Sequence, residues 1–318
     1  MAQKQHSHLT TIASEIRNTT PIIESGIRIT PRDICVLESV AENQFLTTTQ
    51  ICASHFPSLH RTRKRLNRLW SCGFLQRIIV PHGLEGLPPE AVYSISRRGR
   101  QLLLSHGGGI ESIAIPKLKS RPGSLLFLSH TLFRNSFRIA LEDFVRNNPS
   151  VSLQAWRHDA SITLRLVVPD KRTQTLQRVS LRADAYFRLI KNDWESEFYL
   201  EADNGTMTLT RLTAKLKAYQ IWRQSPMHAT NATTMCTRVL VLMSSRKRAE
   251  NLVETISRSS RTSPANPLLL IAYIKRDTLI KTCVLGNLHW CQFEHKRARK
   301  VTLLQELDRL STGQKDAP

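Results

Sequence analysis

The stretch from Thr30 to Ile95 constrains the fold more than any other part of the chain, because three helix starts follow one another there and the hydrophobic period then changes. Thr30-Pro31-Arg32-Asp33 reads as a helix start, with Thr30 as N-cap and proline at the first helical position, where a missing N–H does no harm. Ile34, Leu37, Val40 and Ala41 then recur at helical spacing. A second start lies at Thr47–Thr49 and leads into Gln50-Ile51-Cys52-Ala53. Pro57 and Ser58 end that helix and cap a third. On the third, Leu59, Thr62, Leu66, Leu69 and Trp70 form one face, while Arg61, Lys64, Arg65 and Arg68 form another. Gly73 ends the helix. Leu75 to Val80 and Val92 to Ile95 read as two strands around a Gly/Pro-rich turn, and Arg97, Arg98 and Arg100 open a short helix through Leu104. Three short helices, the last basic, followed by a two-stranded ribbon, are the pattern of a winged helix-turn-helix.

A basic stripe on a helix is ordinarily a solvated face. Its position on the third helix, the element that enters the major groove in this motif, points instead to double-stranded DNA. Between Ser58 and His82 there are six Lys/Arg, Arg77 on the first strand among them, and no acid. The whole chain repeats the bias: 46 Lys and Arg stand against 25 Asp and Glu in 318 residues, a net charge of +21. Such an imbalance favours a polyanionic partner, nucleic acid first and an anionic membrane surface second. With 41% hydrophobic residues the chain is not disordered throughout. No run approaches the ~18–20 apolar residues of a membrane-spanning helix, and Met1 to Arg17 has no apolar region after its basic start, so a cytoplasmic protein is expected. The six cysteines form no C-x-x-C pair; they read as buried free thiols rather than zinc ligands.

Five segments follow from composition and period. Residues 1–27 read as a flexible leader, 28–106 as the winged helix domain and 107–124 as a basic linker. A second domain occupies 125–297, and 298–318 form a C-terminal helix and tail. The second domain opens with a helix over about 125–147. Strand-like runs follow at Val151–Trp156, Ile162–Val168, Leu176–Leu181, Ala183–Ile190 and Glu197–Glu201. A helix from Thr208 to Gln224, a strand at Arg238–Met243, a helix at Arg246–Ser257 and a strand at Leu268–Ile274 complete it, and a helix at Val301–Leu310 follows in the C-terminal segment. That order implies an α+β or α/β fold, a mixed sheet with helices packed on it.

The second domain holds a local inversion of charge. From Asp184 to Asp203 there are six acids against two bases. Asp193, Glu195 and Glu197 fall in an expected hairpin turn, where solvation suffices for them. Asp184 lies near the start of one strand, and Glu201 and Asp203, two residues apart, point to one side of the next. Carboxylates gathered at strand ends repel one another unless a cation compensates, and Mg²⁺ or Mn²⁺ is the natural partner for such oxygens. Lys215, twelve residues beyond Asp203 on the next helix, flanks the apolar stripe of Leu209, Leu212, Leu216 and Tyr219. Metal and lysine beside DNA are suited to phosphodiester cleavage. The arrangement resembles the PD-(D/E)xK nuclease core, with two departures: Asp203 stands where the strand lysine is usual, and Lys215 sits on the following helix, as in some members of that superfamily.

Over about residues 30–295 the chain resembles the replication-relaxation family, which includes the MobC-type relaxases of mobilisable plasmids. The resemblance rests on Ser129-His130-Thr131-Leu132, Leu181-Arg182-Ala183-Asp184-Ala185, Phe198-Tyr199-Leu200-Glu201-Ala202-Asp203 and Lys215-Leu216-Lys217-Ala218-Tyr219. It implies an N-terminal winged helix, a restriction-endonuclease-like second domain and a metal-dependent nickase acting at an origin of transfer or replication. Asp184, Glu201 and Asp203 would hold the metal and Lys215 would assist the nucleophile. Tyr219 would be a packing residue that positions Lys215, or less readily a nucleophile; His130 would be a packed or a supporting residue. The expected partners are DNA, other mobilisation proteins and a second copy in a homodimer, with no membrane. The alternative is a DNA-binding accessory factor or regulator whose nuclease-like domain only binds. The histidine cluster of conventional relaxases has no counterpart beyond His6-Ser7-His8 in the leader.

Overall fold

The computed structural model describes residues 17–19, 26–80, 90–106, 124–158, 162–169, 176–205, 207–225, 236–260, 268–281, 286–294 and 297–311. The linker from 107 to 123, the turn from 82 to 89 and His6-Ser7-His8 lie outside them. Two compact units make up the chain, Met1–Ile139 and Ala140–Pro318.

In the first unit, β1 (Arg17–Thr19), within the expected leader, pairs antiparallel with a strand of the ribbon. Each helix then begins where its capping residue requires. For α1 (Pro31–Asn43), Thr30 and Asp33 close a reciprocal capping box with proline at the first turn. After β2 (Leu46–Thr47), α2 (Thr48–His55) repeats the device with Thr47 and Gln50. Ser58 caps α3 (Leu59–Ser71). Gly73, at φ +75°, makes the left-handed turn that releases the chain into β3 (Leu75–Ile79). The strand β4 (Val92–Ile95) pairs with both β3 and β2, giving the sheet order β1-β3-β4-β2. Next comes α4 (Arg97–Ser105), where a Cβ on Gly99 would run into the Phe74 carbonyl oxygen. Val36, Leu37 and Val40 of α1, Ile51 of α2, and Leu66 and Leu69 of α3 are all fully buried and form the core. Leu59, the first residue of α3 and assigned to that apolar face by its spacing, is 39% exposed.

The division between the units falls inside α5 (Leu125–Arg146). The expected second domain begins at 125, but the first turns of this helix pack on the N-terminal elements. Leu128 and Leu132 join Phe45, Ile78, Val80 and Val92 in one cluster. Asn135 donates to the carbonyls of Asn43 (3.0 Å) and Phe45 (2.8 Å), and Gln50 donates to the Leu132 carbonyl at 2.7 Å. The two Asn135 bonds satisfy backbone oxygens at and just beyond the end of α1, where no helical N–H follows.

The second unit is built on a seven-stranded mixed sheet in the order β13-β12-β11-β10-β9-β8-β5. Its strands are β5 (Val151–His158), β8 (Ala185–Lys191), β9 (Trp194–Asp203), β10 (Cys236–Met243), β11 (Leu269–Tyr273), β12 (His289–Glu294) and β13 (Arg297–Thr302); β6 (Thr163–Pro169) and β7 (Leu176–Arg182) form a separate hairpin. Asn192 and Asp193, both at positive φ, make the two-residue turn between β8 and β9. The parallel pairs β9–β10 and β10–β11 are each bridged by a helix, α6 (Leu209–Arg223) and α7 (Arg246–Ser260). Both helices pack on one face of the sheet, where Leu212, Leu216 and Trp222 meet Val239, Val241, Leu252 and Ile271. After the short α8 (Arg276–Leu279), β12 and β13 extend the far edge. The sequence reading has no strand there and starts its last helix at Val301; the structure gives Val301 and Thr302 to β13 and starts α9 (Leu303–Ser311) after them.

Among the described residues no helix is long and apolar enough to cross a membrane. The cysteines described, Cys35, Cys52, Cys72, Cys236 and Cys291, are free thiols, and Cys72 alone among them is buried, the others being exposed or half-buried; Cys283 lies outside the described residues.

Candidate functional site

The polar site of the second unit is assembled by strand period and register. Along β9 the odd-numbered Glu195, Glu197, Tyr199, Glu201 and Asp203 share one face. The hairpin pairs Ala185 with Leu200, so Asp184, one residue earlier, stands opposite Glu201. That juncture is locked by backbone: the Asp184 N–H donates to the Leu200 carbonyl at 3.0 Å, and the Ala202 N–H donates to Asp184 Oδ2 at 2.9 Å. From α6, Lys215 Nζ donates to Glu201 Oε2 at 2.6 Å and the Tyr219 hydroxyl donates to Oε1 at 2.6 Å. Lys215 and Tyr219 lie one helical turn apart, which is why both reach the same carboxylate. Lys217 points to solvent.

Glu201 is 2% exposed. Burial and the charge of Asp184 push its carboxyl up to about 8, and the ammonium of Lys215 and the Tyr219 bond offset only part of that. Tyr219 is fully buried; burial and the adjacent Glu201 hold its phenol protonated far above the usual range. Its hydroxyl therefore fixes Glu201, rather than touching Lys215 directly.

Asp203 points to the same face but joins a different group. Its carboxylate accepts from Arg248 of α7 through Nε and through Nη2 (3.1 Å), and the same guanidinium donates to the Met207 carbonyl. The sequence reading did not single out Arg248, and no local pattern announces it. Among the described residues no three His, Cys, Asp or Glu stand together in a group able to hold a metal ion. Glu195 and Glu197 lie within β9 rather than in the turn, and they are partnered: Arg188 Nη1 donates to Glu195 at 2.5 Å and the Tyr186 hydroxyl to Glu197 at 2.5 Å. His130, half-buried on α5, belongs to the first unit.

In the first unit the basic face of α3 divides into two kinds of cation. Arg61, Arg63, Lys64 and Arg68 are exposed. Arg63 lies beside the i, i+3, i+4, i+7 stripe, and its exposure was readable from the width of a helix face. Arg65 is turned inward: Nε donates to Asp33 Oδ1 at 2.6 Å and Nη2 to Oδ2 of the same carboxylate. Arg77 on β3 donates to Asn67 at 3.1 Å and lies 3.5 Å over the Trp70 ring.

Burial raises the Asp33 carboxyl, but the bonds from Arg65 and Thr30 outweigh it and hold the group below its ordinary value. Its folded pKa is thus below the unfolded one, so Asp33 contributes stability above about pH 4 that is lost as pH falls through the folded pKa. An Asp33→Asn variant is expected to melt below the unaltered protein at pH 7, with the difference shrinking by about pH 2–3. A constant difference across that range in thermal melts would count against the pairing.

A family model described as replication-relaxation matches residues 37–239, more than half of the chain. The protein belongs to the replication-relaxation family. In this replication-relaxation protein the matched span takes in α3, Asp184, Glu201, Asp203, Lys215 and Tyr219, and it stops before Arg248. No curated protein and no solved structure matches the chain.

Proposed function

We propose that this replication-relaxation protein acts in the replication or mobilisation of a genetic element. Its first unit is a winged helix that binds double-stranded DNA at an origin of transfer or a related site. The observation that carries this reading is the row of exposed cations on α3, with Arg61, Arg63, Lys64 and Arg68 on the outer face of a helix whose inner face, Thr62, Leu66 and Leu69, is buried. A third helix packed in this way is the element that such folds lay in the major groove.

The second unit is proposed as a nuclease-like domain with its centre at Asp184, Glu201 and Lys215. Two carboxylates on neighbouring strands and a lysine from the next helix are the parts of a PD-(D/E)xK site whose lysine has moved off the strand. Mg²⁺ or Mn²⁺ fits the pair Asp184 and Glu201, because such ions are commonly held by one or two carboxylates, with water and substrate phosphate completing the shell. The Glu201 carboxyl is pushed up first by burial and then by the charge of Asp184, and the second of these is what a bound cation would relieve. Asp203, engaged by Arg248, is outside this set. A bound ion of this kind polarises a phosphate and acidifies a water. Lys215 holds its ammonium beside the carboxylates, where negative charge on an attacked phosphate would build. Tyr219 keeps Glu201 oriented toward Lys215.

The test is cleavage of supercoiled plasmid carrying the DNA that flanks the protein's own coding sequence, with Mg²⁺ or Mn²⁺ and with EDTA. Metal-dependent conversion to open circles is the expected result. Tight, salt-sensitive binding with no cleavage would replace nicking by the accessory-factor reading.

A further inference from the structure

Residues 26–33 form an arm that crosses the basic face of α3, and an open cleft of about 830 Å³ lies between them. The arm is tied down by its own backbone. Arg65 Nη2 donates to the Arg28 carbonyl at 2.8 Å and Arg68 Nη2 to the Gly26 carbonyl at 3.3 Å. Arg65 also clamps Asp33, the one acid among the described residues that line the cleft, and so neutralises it. Those bonds engage Arg65 and Arg68 as fasteners and leave Arg28 and Arg32 exposed on the arm, facing Arg61 and Lys64 on the helix across the same cleft. Arg32 is steadied by Phe56, its guanidinium 5.5 Å from the ring centroid. A concave site with cations on both walls and its acid already paired selects an extended polyanion.

We infer that the cleft between the arm and α3 binds the phosphodiester backbone of a DNA strand, with Arg28 and Arg32 as its outer phosphate contacts. The inference deepens the DNA-binding reading and rests on it. It adds a contact that lies beside the third helix and comes from the segment leading into α1 and from that helix's first turn. Cations on long flexible stems that meet phosphates position the protein on the duplex and carry no base information. The arm therefore sets affinity and footprint, and the sequence preference resides elsewhere.

The experiment measures equilibrium binding of the full-length chain to two labelled duplexes, one of flanking DNA and one scrambled, by fluorescence anisotropy over a range of salt. Each phosphate contact contributes about 0.9 to the slope of log K against log salt. The double variant Arg28→Ala/Arg32→Ala is expected to flatten that slope by about 2 and to weaken binding to both duplexes by the same factor, about tenfold or more. Arg246→Ala/Arg258→Ala removes equal charge from the exposed face of α7 and is expected to change neither quantity. The inference is overturned if the unaltered protein binds and the arm variant keeps its full slope, if the loss falls on one duplex alone, or if both double variants lose equally. Failure of the unaltered protein to bind either duplex would instead sink the DNA-binding reading, and the cleft's role with it.

Discussion

Replacing Glu306 with alanine is expected to cost the second unit about 3–5 kcal/mol of stability, the largest effect of any single change outside the candidate site. Arg238 on β10 has a fully buried side chain, and Glu306 on α9 is 1% exposed. Arg238 Nε donates to Glu306 Oε1 at 2.7 Å, Arg309 donates to both of its oxygens at 2.9 and 3.1 Å, and Gln292 adds a bond at 3.3 Å. Burial raises the Glu306 carboxyl, but the bonds and charges of Arg309 and Arg238 outweigh it and keep the group ionised below its usual range. Alanine would leave the Arg238 cation buried without its counter-charge. Chemical denaturation reads the loss directly, and a fall in melting temperature of roughly 10 °C is expected for a unit of this size. Arg238→Leu combined with Glu306→Leu should recover most of it, because an apolar pair of similar volume replaces two desolvated charges. A loss under about 1 kcal/mol in the single variant would mean that the pair is solvated.

The second large effect is on activity rather than stability. Glu201→Gln keeps the shape of the side chain and can still accept from Tyr219, but it removes the ionisable oxygen that would meet a cation beside Lys215 and Asp184. Metal-dependent nicking should fall by on the order of 10²–10³-fold, the scale seen when one preorganised electrostatic group is removed from an active site. The fold should be unaffected or slightly stabilised, since the charge lost is one that burial and Asp184 disfavour. Parallel measurement of open-circle formation and thermal melting separates the two effects. Undiminished nicking by Glu201→Gln would remove Glu201 from the centre. A fall in activity matched by a fall in melting temperature would make Glu201 a packing residue.

The two effects come from chemically similar pairs. Arg238–Glu306 and Lys215–Glu201 each bury a carboxylate against a cation. Glu306 faces two guanidiniums and is held down, whereas Glu201 faces one ammonium and a second carboxylate and is pushed up. Burial raises both carboxyls; at Glu306 two guanidiniums outweigh it, whereas at Glu201 the charge of Asp184 adds to it, and that difference marks Glu201 as the functional candidate of the two.

What the sequence determined by itself was local. Thr30 and Ser58 cap the helices they were expected to cap, and Thr47 caps the helix expected to start within Thr47–Thr49, because an N-cap needs only a side-chain oxygen and the N–H groups two or three residues ahead. The two-residue period of β9 put Glu201 and Asp203 on one face, and the short turn to β8 brought Asp184 opposite Glu201. Partner choice was decided only by tertiary structure. Asp203 goes to Arg248, 45 residues on, and Arg65 to Asp33, 32 residues back, while Arg238 finds Glu306 at a separation of 68. Periodicity shows which face a charge occupies, but several oppositely charged groups are within reach of any long side chain. Which one it meets depends on the register of β9 against β10 and on how α1, α6, α7 and α9 lie over their neighbours. Those placements are set by the burial of apolar side chains far apart in the chain, so no local pattern around Asp203 or Arg65 carries them.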